Sequence, residues 1–285
     1  MSDIVRLTIL GSGSSGGVPR ANGDWGACNP ANPKNRRRRC AALIEAARSA
    51  EDLAAGERVT RVAIDTSPDF REQMISARVP RLDGVVITHD HADQTHGLDD
   101  LRAFALLQRQ RIPVWMDEPS AKSLTSRFGY AFQAPAGSPY PAILDARSMP
   151  EPGSAVKVDG PGGTVEIIPF DQEHGAIRSL GFKIGAIAYS ADINALPDES
   201  AAILNQIGCW VVDALRHEPH GTHFSVSDAL SALDAVSAQQ GVLTNLHITL
   251  DYDALSAELP DHISSAYDGM TITETDSRIT VSGAS

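Results

Sequence analysis

The chain has 285 residues, 42% of them hydrophobic, enough apolar mass for a substantial core and compatible with one domain over the full length, 1–285. Its formal net charge is −12 and its sequence pI about 5.1. That argues against broad, sequence-independent nucleic-acid binding, which needs a basic face, but leaves room for a small phosphorylated substrate, because metal ions make a site locally positive.

Apolar runs of strand length recur at 4–10, 41–45, 61–65, 84–88, 112–116, 164–169, 180–189, 209–213, 242–247 and 270–275. The N-terminal MSDIVRLTIL lacks a basic stretch followed by a long apolar core, so it reads as a first strand and not as a signal peptide. Helical periodicity appears over 98–108, with Leu98, Leu101, Phe104, Ala105 and Leu107 apolar. It appears again over 225–237, where Val226, Ala229, Leu230, Leu233 and Val236 share a face and Ser225 can cap the N-terminus. A shorter helix is expected over 251–258. No repeat, linker or low-complexity tract interrupts this order, so sheets covered by helices are expected. No run approaches ~20 uninterrupted apolar residues, so no membrane span is expected. Three cysteines, Cys28, Cys40 and Cys209, cannot build a disulfide framework and point to a reducing compartment, with the cytoplasm as the expected location.

The chemistry is concentrated in VVITHDHADQTHGLDDLR, 85–102. A β-branched run ends in Thr88 and empties into His89, His91 and Asp93, two apart, with His96 close behind. Imidazole and carboxylate are the ligands that zinc, manganese and iron take. So many ligand types in one loop carry a desolvation cost unless something binds them. Three later strand ends add donors of the same kind: His174 after TVEIIPF, Asp192 in AIAYSADIN and His247 in GVLTNLH.

His-x-His-x-Asp after an apolar strand resembles the signature of the metallo-β-lactamase superfamily, an α/β fold built as a four-layer αββα sandwich. The resemblance implies two divalent metal ions, zinc or manganese. His89, His91 and His174 would hold one, Asp93 and His247 the other, and Asp192 would bridge them. A pair ~3.5–4 Å apart braces the attacking and leaving oxygens of a displacement, with a metal-bound hydroxide as nucleophile. Asp93 therefore also counts as a catalytic candidate, and Asp65, at the strand end of AIDTSPDF, matches a structural aspartate of the superfamily. One position departs from the pattern. Gln94 stands where the superfamily carries a histidine, so the second site is uncertain: His96 substitutes, Gln94 coordinates through its oxygen, or the site is weak or empty.

GSGSSGGVP after the first strand, SLGF, YSADINALP, THFSVSDAL, NLHIT and YDGM together resemble one branch over roughly 4–275: the phosphoribosyl cyclic phosphate phosphodiesterases of the carbon–phosphorus lyase pathway and their relatives. The branch implies that His223 lies near the metals and moves a proton or stabilises phosphate charge. Ser14 and Ser15, in a Gly/Ser loop whose amides can face phosphate oxygens, are candidate substrate-binding residues, as are His220 and His223. His217 is expected in the same loop. The branch also carries a cysteine cluster for a structural zinc. Here only Cys28, with Cys40 twelve residues on, is present, so no structural zinc is expected. Four consecutive arginines, Arg36 to Arg39, either form a solvated loop or reach a substrate phosphate.

The expectation is a metal-dependent phosphodiesterase or phosphohydrolase acting on a small phosphorylated ribose or nucleotide-like compound, and the cyclic phosphate rests on the resemblance alone. A homodimer is compatible with the sequence. Hydrolysis of a carboxylic ester, thioester or lactone uses the same nucleophile. Transfer-RNA 3′ processing uses a related site but needs a grip on a long polyanion. A nucleotide sensor with one metal is the non-enzymatic alternative.

Overall fold

The computed structural model describes residues 4–282. Strands β1 (Ile4–Gly11), β2 (Ala41–Ala47), β3 (Thr60–Ile64), β4 (Gly84–Val86), β5 (Ile112–Met116) and β6 (Leu144–Ser148) lie in the first half. Helices α1 (Ala50–Ala55), α2 (Phe70–Ser76), α3 (Ala92–Thr95), α4 (Arg102–Gln108), α5 (Glu118–Arg127) and α6 (Gly129–Phe132) punctuate them. The second half has β7 (Val156–Gly160), β8 (Gly163–His174), β9 (Ile177–Ile184), β10 (Ile187–Ser190), β11 (Cys209–Asp213), β12 (Gln240–Thr244) and β13 (Ile263–Ser265). Among them run α7 (Asp198–Leu204), α8 (Val226–Ala235) and α9 (Tyr252–Glu258), and β14 (Thr271–Thr275) and β15 (Arg278–Ser282) close the chain.

An eight-stranded sheet has the order β15-β14-β1-β2-β3-β4-β5-β6, and a seven-stranded sheet the order β13-β12-β11-β10-β9-β8-β7. Side-chain alternation assigns the layers. Along β2, Ala42, Ile44 and Ala46 face the space between the sheets while Ala41 and Leu43 face outward. Along β11, Cys209 and Val211 point inward, Trp210 and Val212 outward. The inner core joins Ile44, Val62 and Val86 of the first sheet to Ile167, Phe182 and Tyr189 of the second. Outside the first sheet, Phe70, Met74, Leu101 and Phe104 cover Leu43 and Val85. Outside the second, Leu204, Val226, Ala229 and Leu233 cover Trp210 and Val212. The result is the αββα sandwich expected from the sequence.

β6, β7, β13 and β15 escape the sequence reading. LDARS, for example, is mostly exposed at the sheet edge and carries no alternation of hydrophobicity. The periodic stretch 98–108 is two pieces, a 3₁₀ turn Leu98–Leu101 followed by α4. The 180–189 run is the end of β9 and most of β10, antiparallel neighbours with a turn between. Ser225 caps α8 in a full capping box with Asp228. No helix among the described residues is long and apolar enough to cross a membrane.

Topology positions the site. β3, β4, β5 and β6 run parallel, as do β10, β11, β12 and β13. Parallel strands end at the same edge, where the loops after them converge.

Candidate metal centre

The loop after β4 carries His89 and His91, and α3 carries Asp93. β8 ends on His174, Asp192 follows β10, and β11 ends on Asp213. His223 precedes the cap of α8, and Asn245 and His247 follow β12.

His89, His91, His174 and Asp192 each present one ligand atom, and those atoms all lie within 4.8 Å of one another. Hydrogen bonds behind the rings fix the tautomers. His89 Nδ1 lies 3.0 Å from Thr88 Oγ1, whose hydroxyl donates to Asp65 Oδ2 at 2.9 Å. The His89 Nδ1–H therefore donates to Thr88. His174 Nδ1–H donates to the Thr222 carbonyl at 2.6 Å. Both Nε2 lone pairs are left facing Asp192 Oδ2, 3.5 Å from each. Nε2 of His89 is buried with no hydrogen-bond partner. A buried acceptor without a partner, set among other donors, is what a cation ligand looks like before the cation arrives.

The electrostatics agree. Burial, then the neighbouring imidazoles, push His89 well below its ordinary pKa of 6.5. Burial likewise takes His174 down to about 4 despite its carbonyl partner. Both rings are neutral, the state that ligates. Burial raises Asp192, and the charges of Asp93, Asp213 and Asp65 add to the rise. A divalent cation relieves this crowding of carboxylates, so the residues present fit one.

Behind the cluster, Asp65 sits fully buried at φ 65°, in the left-handed region, and accepts from Thr88 N at 2.8 Å. It braces the strand end that carries His89. Gly97, just past the ligand loop, packs where a Cβ would lie 2.1 Å from the Ser67 carbonyl oxygen.

A second group, Asp192, Asp213 and His223, adjoins the first. His223 Nδ1 lies 2.7 Å from Asp213 Oδ2, and Asn245 Nδ2 lies 3.1 Å from both Asp192 Oδ1 and Asp213 Oδ1. Asp213 and Asn245 were not anticipated. A single aspartate at the end of VVD has no spacing signal, although its place at the end of a strand parallel to the one before Asp192 is a clue.

Residues expected around a second metal do not assemble in the same way. Asp93 and His247 fall outside both groups, although both line the adjoining cleft. His96 is not a substitute ligand: it is exposed and its ring stands edge-on to Phe128, centroids 5.8 Å apart. Gln94 is fully buried, and with its amide turned to satisfy both atoms its nitrogen donates to the Cys40 carbonyl and to Asp65 Oδ2. His247 Nε2 lies 2.7 Å from Arg20 Nη2.

The cleft beside the cluster has a volume of about 710 Å³. Ser14, Ser15, Arg20, Arg39 and Arg216 line it with His220 and His223. His217 lies elsewhere, paired with Glu258. Most of the arginine run is structural. Arg37 is buried and donates to the Leu250 carbonyl, Arg38 pairs with Asp268, and Arg39 pairs with Asp69 while also reaching the cleft wall. Cys28 lies against Ile248 and Leu250, and Cys40 against Thr244 and Asn245, so the two thiols sit in separate surroundings.

A family profile described as the beta-lactamase superfamily domain matches residues 60–248, the span from β3 through His247. The chain belongs to the metallo-β-lactamase superfamily. A solved diphosphatase of the PhnP family superposes with a TM-score of 0.80 and 29% identity, over 94% of this chain and 96% of that one. This superfamily member therefore lies in the PhnP-like branch. The metallo-β-lactamase fold protein YhfI of Bacillus subtilis gives 0.68 and 14% identity over 95% and 100% of the two chains, which speaks to the fold. A protein of Porphyromonas gingivalis (strain ATCC BAA-308 / W83) named octanoyltransferase is 30% identical over 271 residues, 93% of this chain. The chain spans about half, 51%, of that relative, and an acyltransferase activity is not carried over from it. Fold, branch and the His/Asp cluster support a metal-dependent hydrolase.

Proposed function

We propose that the protein hydrolyses a phosphodiester or diphosphate bond in a small phosphorylated ribose or nucleotide-like compound, cyclic phosphates included. The observation that carries this reading is the convergence of two neutral Nε2 lone pairs and Asp192 Oδ2 on one point beside an arginine-lined cleft. The 29% identical diphosphatase supports it.

His89, His91, His174 and Asp192 would hold a divalent cation, with zinc or manganese the candidates. When bound, a divalent cation lowers the pKa of a water towards ~7 and neutralises charge on phosphoryl oxygens. The chain's own groups do the rest. Arg20, Arg39 and Arg216 draw the anionic substrate into the cleft, and the backbone around Ser14 and Ser15 lines its wall. Burial alone would lower the pKa of His223, but the hydrogen bond and charge of Asp213, with Asp192 and Asp93 behind, raise it to about 9. His223 is thus protonated at neutral pH, and with Nδ1 engaged by Asp213, its Nε2 donates a proton to the leaving oxygen. Asp93 adds a second carboxylate to the same wall.

Parallel assays on an aryl phosphodiester, ribose cyclic phosphates, a diphosphate diester and an aryl ester test the reading. Turnover of the phosphorus substrates with manganese or zinc is expected. Turnover of the carboxylic ester alone contradicts it.

A further inference from the structure

The superfamily arrangement that the sequence resembles places a second cation beside the first, on Asp93, Asp192, His247 and a histidine at the position of Gln94. In this chain that side is built differently. Gln94 is a weak neutral ligand: its nitrogen is engaged by the Cys40 carbonyl at 3.2 Å and Asp65 Oδ2 at 3.1 Å, and only its neutral amide oxygen then faces Asp192 Oδ1, at 3.5 Å. His96 has left the site for Phe128. His247 has both ring nitrogens occupied, Nδ1 by Thr249 Oγ1 at 3.1 Å and Nε2 by Arg20 at 2.7 Å. The Arg20 side chain is exposed, on a backbone held within its own loop. Its backbone N–H donates to Asp24 O at 2.9 Å, its carbonyl accepts from Gly23 N at 2.8 Å, and its side chain runs alongside Gly16.

A guanidinium has no lone pair to offer and is protonated at every working pH, so the arginine is the donor and His247 Nε2 the acceptor. The lone pair that a second cation would need is the one Arg20 uses. A divalent cation could take it only by displacing that positive charge, which repels it. It would then find Asp93 and the shared Asp192 as its anionic donors, with no histidine at 94.

We propose that this centre works with a single divalent cation, held by His89, His91, His174 and Asp192, and that the Arg20 guanidinium stands in the place of the second one. The inference rests on the metal-dependent reading above and deepens it. The substrate this fits is a phosphoryl group with two non-bridging oxygens, one meeting the cation and the other the guanidinium. A guanidinium forms two parallel charge-assisted hydrogen bonds where a cation forms a coordination bond. Arg20 thereby becomes a substrate-touching residue, and the pairing with His247 aims it.

Metal-free protein is loaded with excess manganese or, separately, zinc, freed of unbound ion by gel filtration, and examined by metal analysis and, for manganese, electron paramagnetic resonance. About one manganese per chain, with the spectrum of isolated ions, is expected. Two per chain with an exchange-coupled spectrum overturns the inference and leaves the hydrolase reading standing. No bound manganese or zinc overturns both. In a second arm, the Arg20→Ala, Gln94→His double variant is expected to take up about one further manganese per chain and show coupling. Uptake unchanged from the parent protein shows that Arg20 does not stand in for the ion, and that half of the inference falls. Each readout is independent of turnover, and the parent protein's stoichiometry needs no variant to fold.

Discussion

His223 Nδ1 donates to Asp213 Oδ2 at 2.7 Å, and this bond fixes which edge of the imidazole faces the cleft. Burial lifts Asp213 to about 6 even against its hydrogen bonds, and Asp213 helps lift His223 to about 9, so between these values the two form an ion pair inside the protein. Asp213→Asn keeps the shape and removes the charge. It is expected to lower kcat by about 10²–10⁴-fold with little change in KM, the pattern of a mis-set general acid. The basic limb of the pH–rate profile should move to lower pH. A variant whose kcat and profile match the parent assigns Asp213 a merely structural role.

The same pair has a thermodynamic signature in metal-free protein. The folded pKa of His223 lies above its ordinary 6.5, so its contribution to stability is complete below about 6.5 and is lost as pH rises through about 9. Thermal melts of the metal-free protein should therefore fall across that window, and the fall should shrink in Asp213→Asn. Equal slopes in the two proteins contradict the pairing.

Asp65 supports His89 through Thr88, accepting from the backbone at 2.8 Å and the hydroxyl at 2.9 Å. Burial, the dominant cause, raises its pKa to about 8 against the two hydrogen bonds from Thr88. Asn keeps one accepting oxygen and tolerates φ 65°, but its NH2 cannot accept from the second Thr88 donor. Asp65→Asn is expected to lose less than Asp65→Ala, which leaves both Thr88 donors unpaired and loses about 1–3 kcal/mol in denaturant titrations. Equal losses in both variants would argue that charge, and not hydrogen bonding, matters here.

Gly97 is needed for space and not for its backbone angle. Its φ is −91°, yet an added Cβ would meet the Ser67 carbonyl oxygen at 2.1 Å and the Phe70 Cβ at 2.6 Å. Gly97→Ala should cost about 1–3 kcal/mol by overpacking, and should loosen metal binding because the ligand loop shifts with it. Chemical denaturation and manganese titration check the two effects separately.

The sequence exposed the first half of the centre because its donors are nearly contiguous: His89 and His91 sit two apart after a buried strand. His174 and Asp192 were legible as single donors at strand ends, made meaningful by their number. Asp213 and Asn245 were not, because VVD and TNL read as ordinary strand termini until the parallel pairing of β10, β11 and β12 brings them beside Asp192. Arg20 was hidden in a glycine-rich loop whose conformation no periodicity reports. The arginine run left two readings open, and the fold divides it: Arg37 is buried on a carbonyl and Arg38 pairs with Asp268, while Arg39 pairs with Asp69 and also reaches the cleft wall. Edge strands such as β6 and β15 were lost because an exposed edge does not require alternating apolar residues.

The most direct test strips the protein with a chelator, returns manganese or zinc, and follows hydrolysis of an aryl phosphodiester alongside bound metal, in the parent and in the His174→Ala, Asp192→Ala double variant. The account predicts that the parent loses turnover on stripping and regains it with the ion, while the double variant neither binds the ion nor turns over. Turnover indifferent to the chelator, or a double variant as active as the parent, contradicts it.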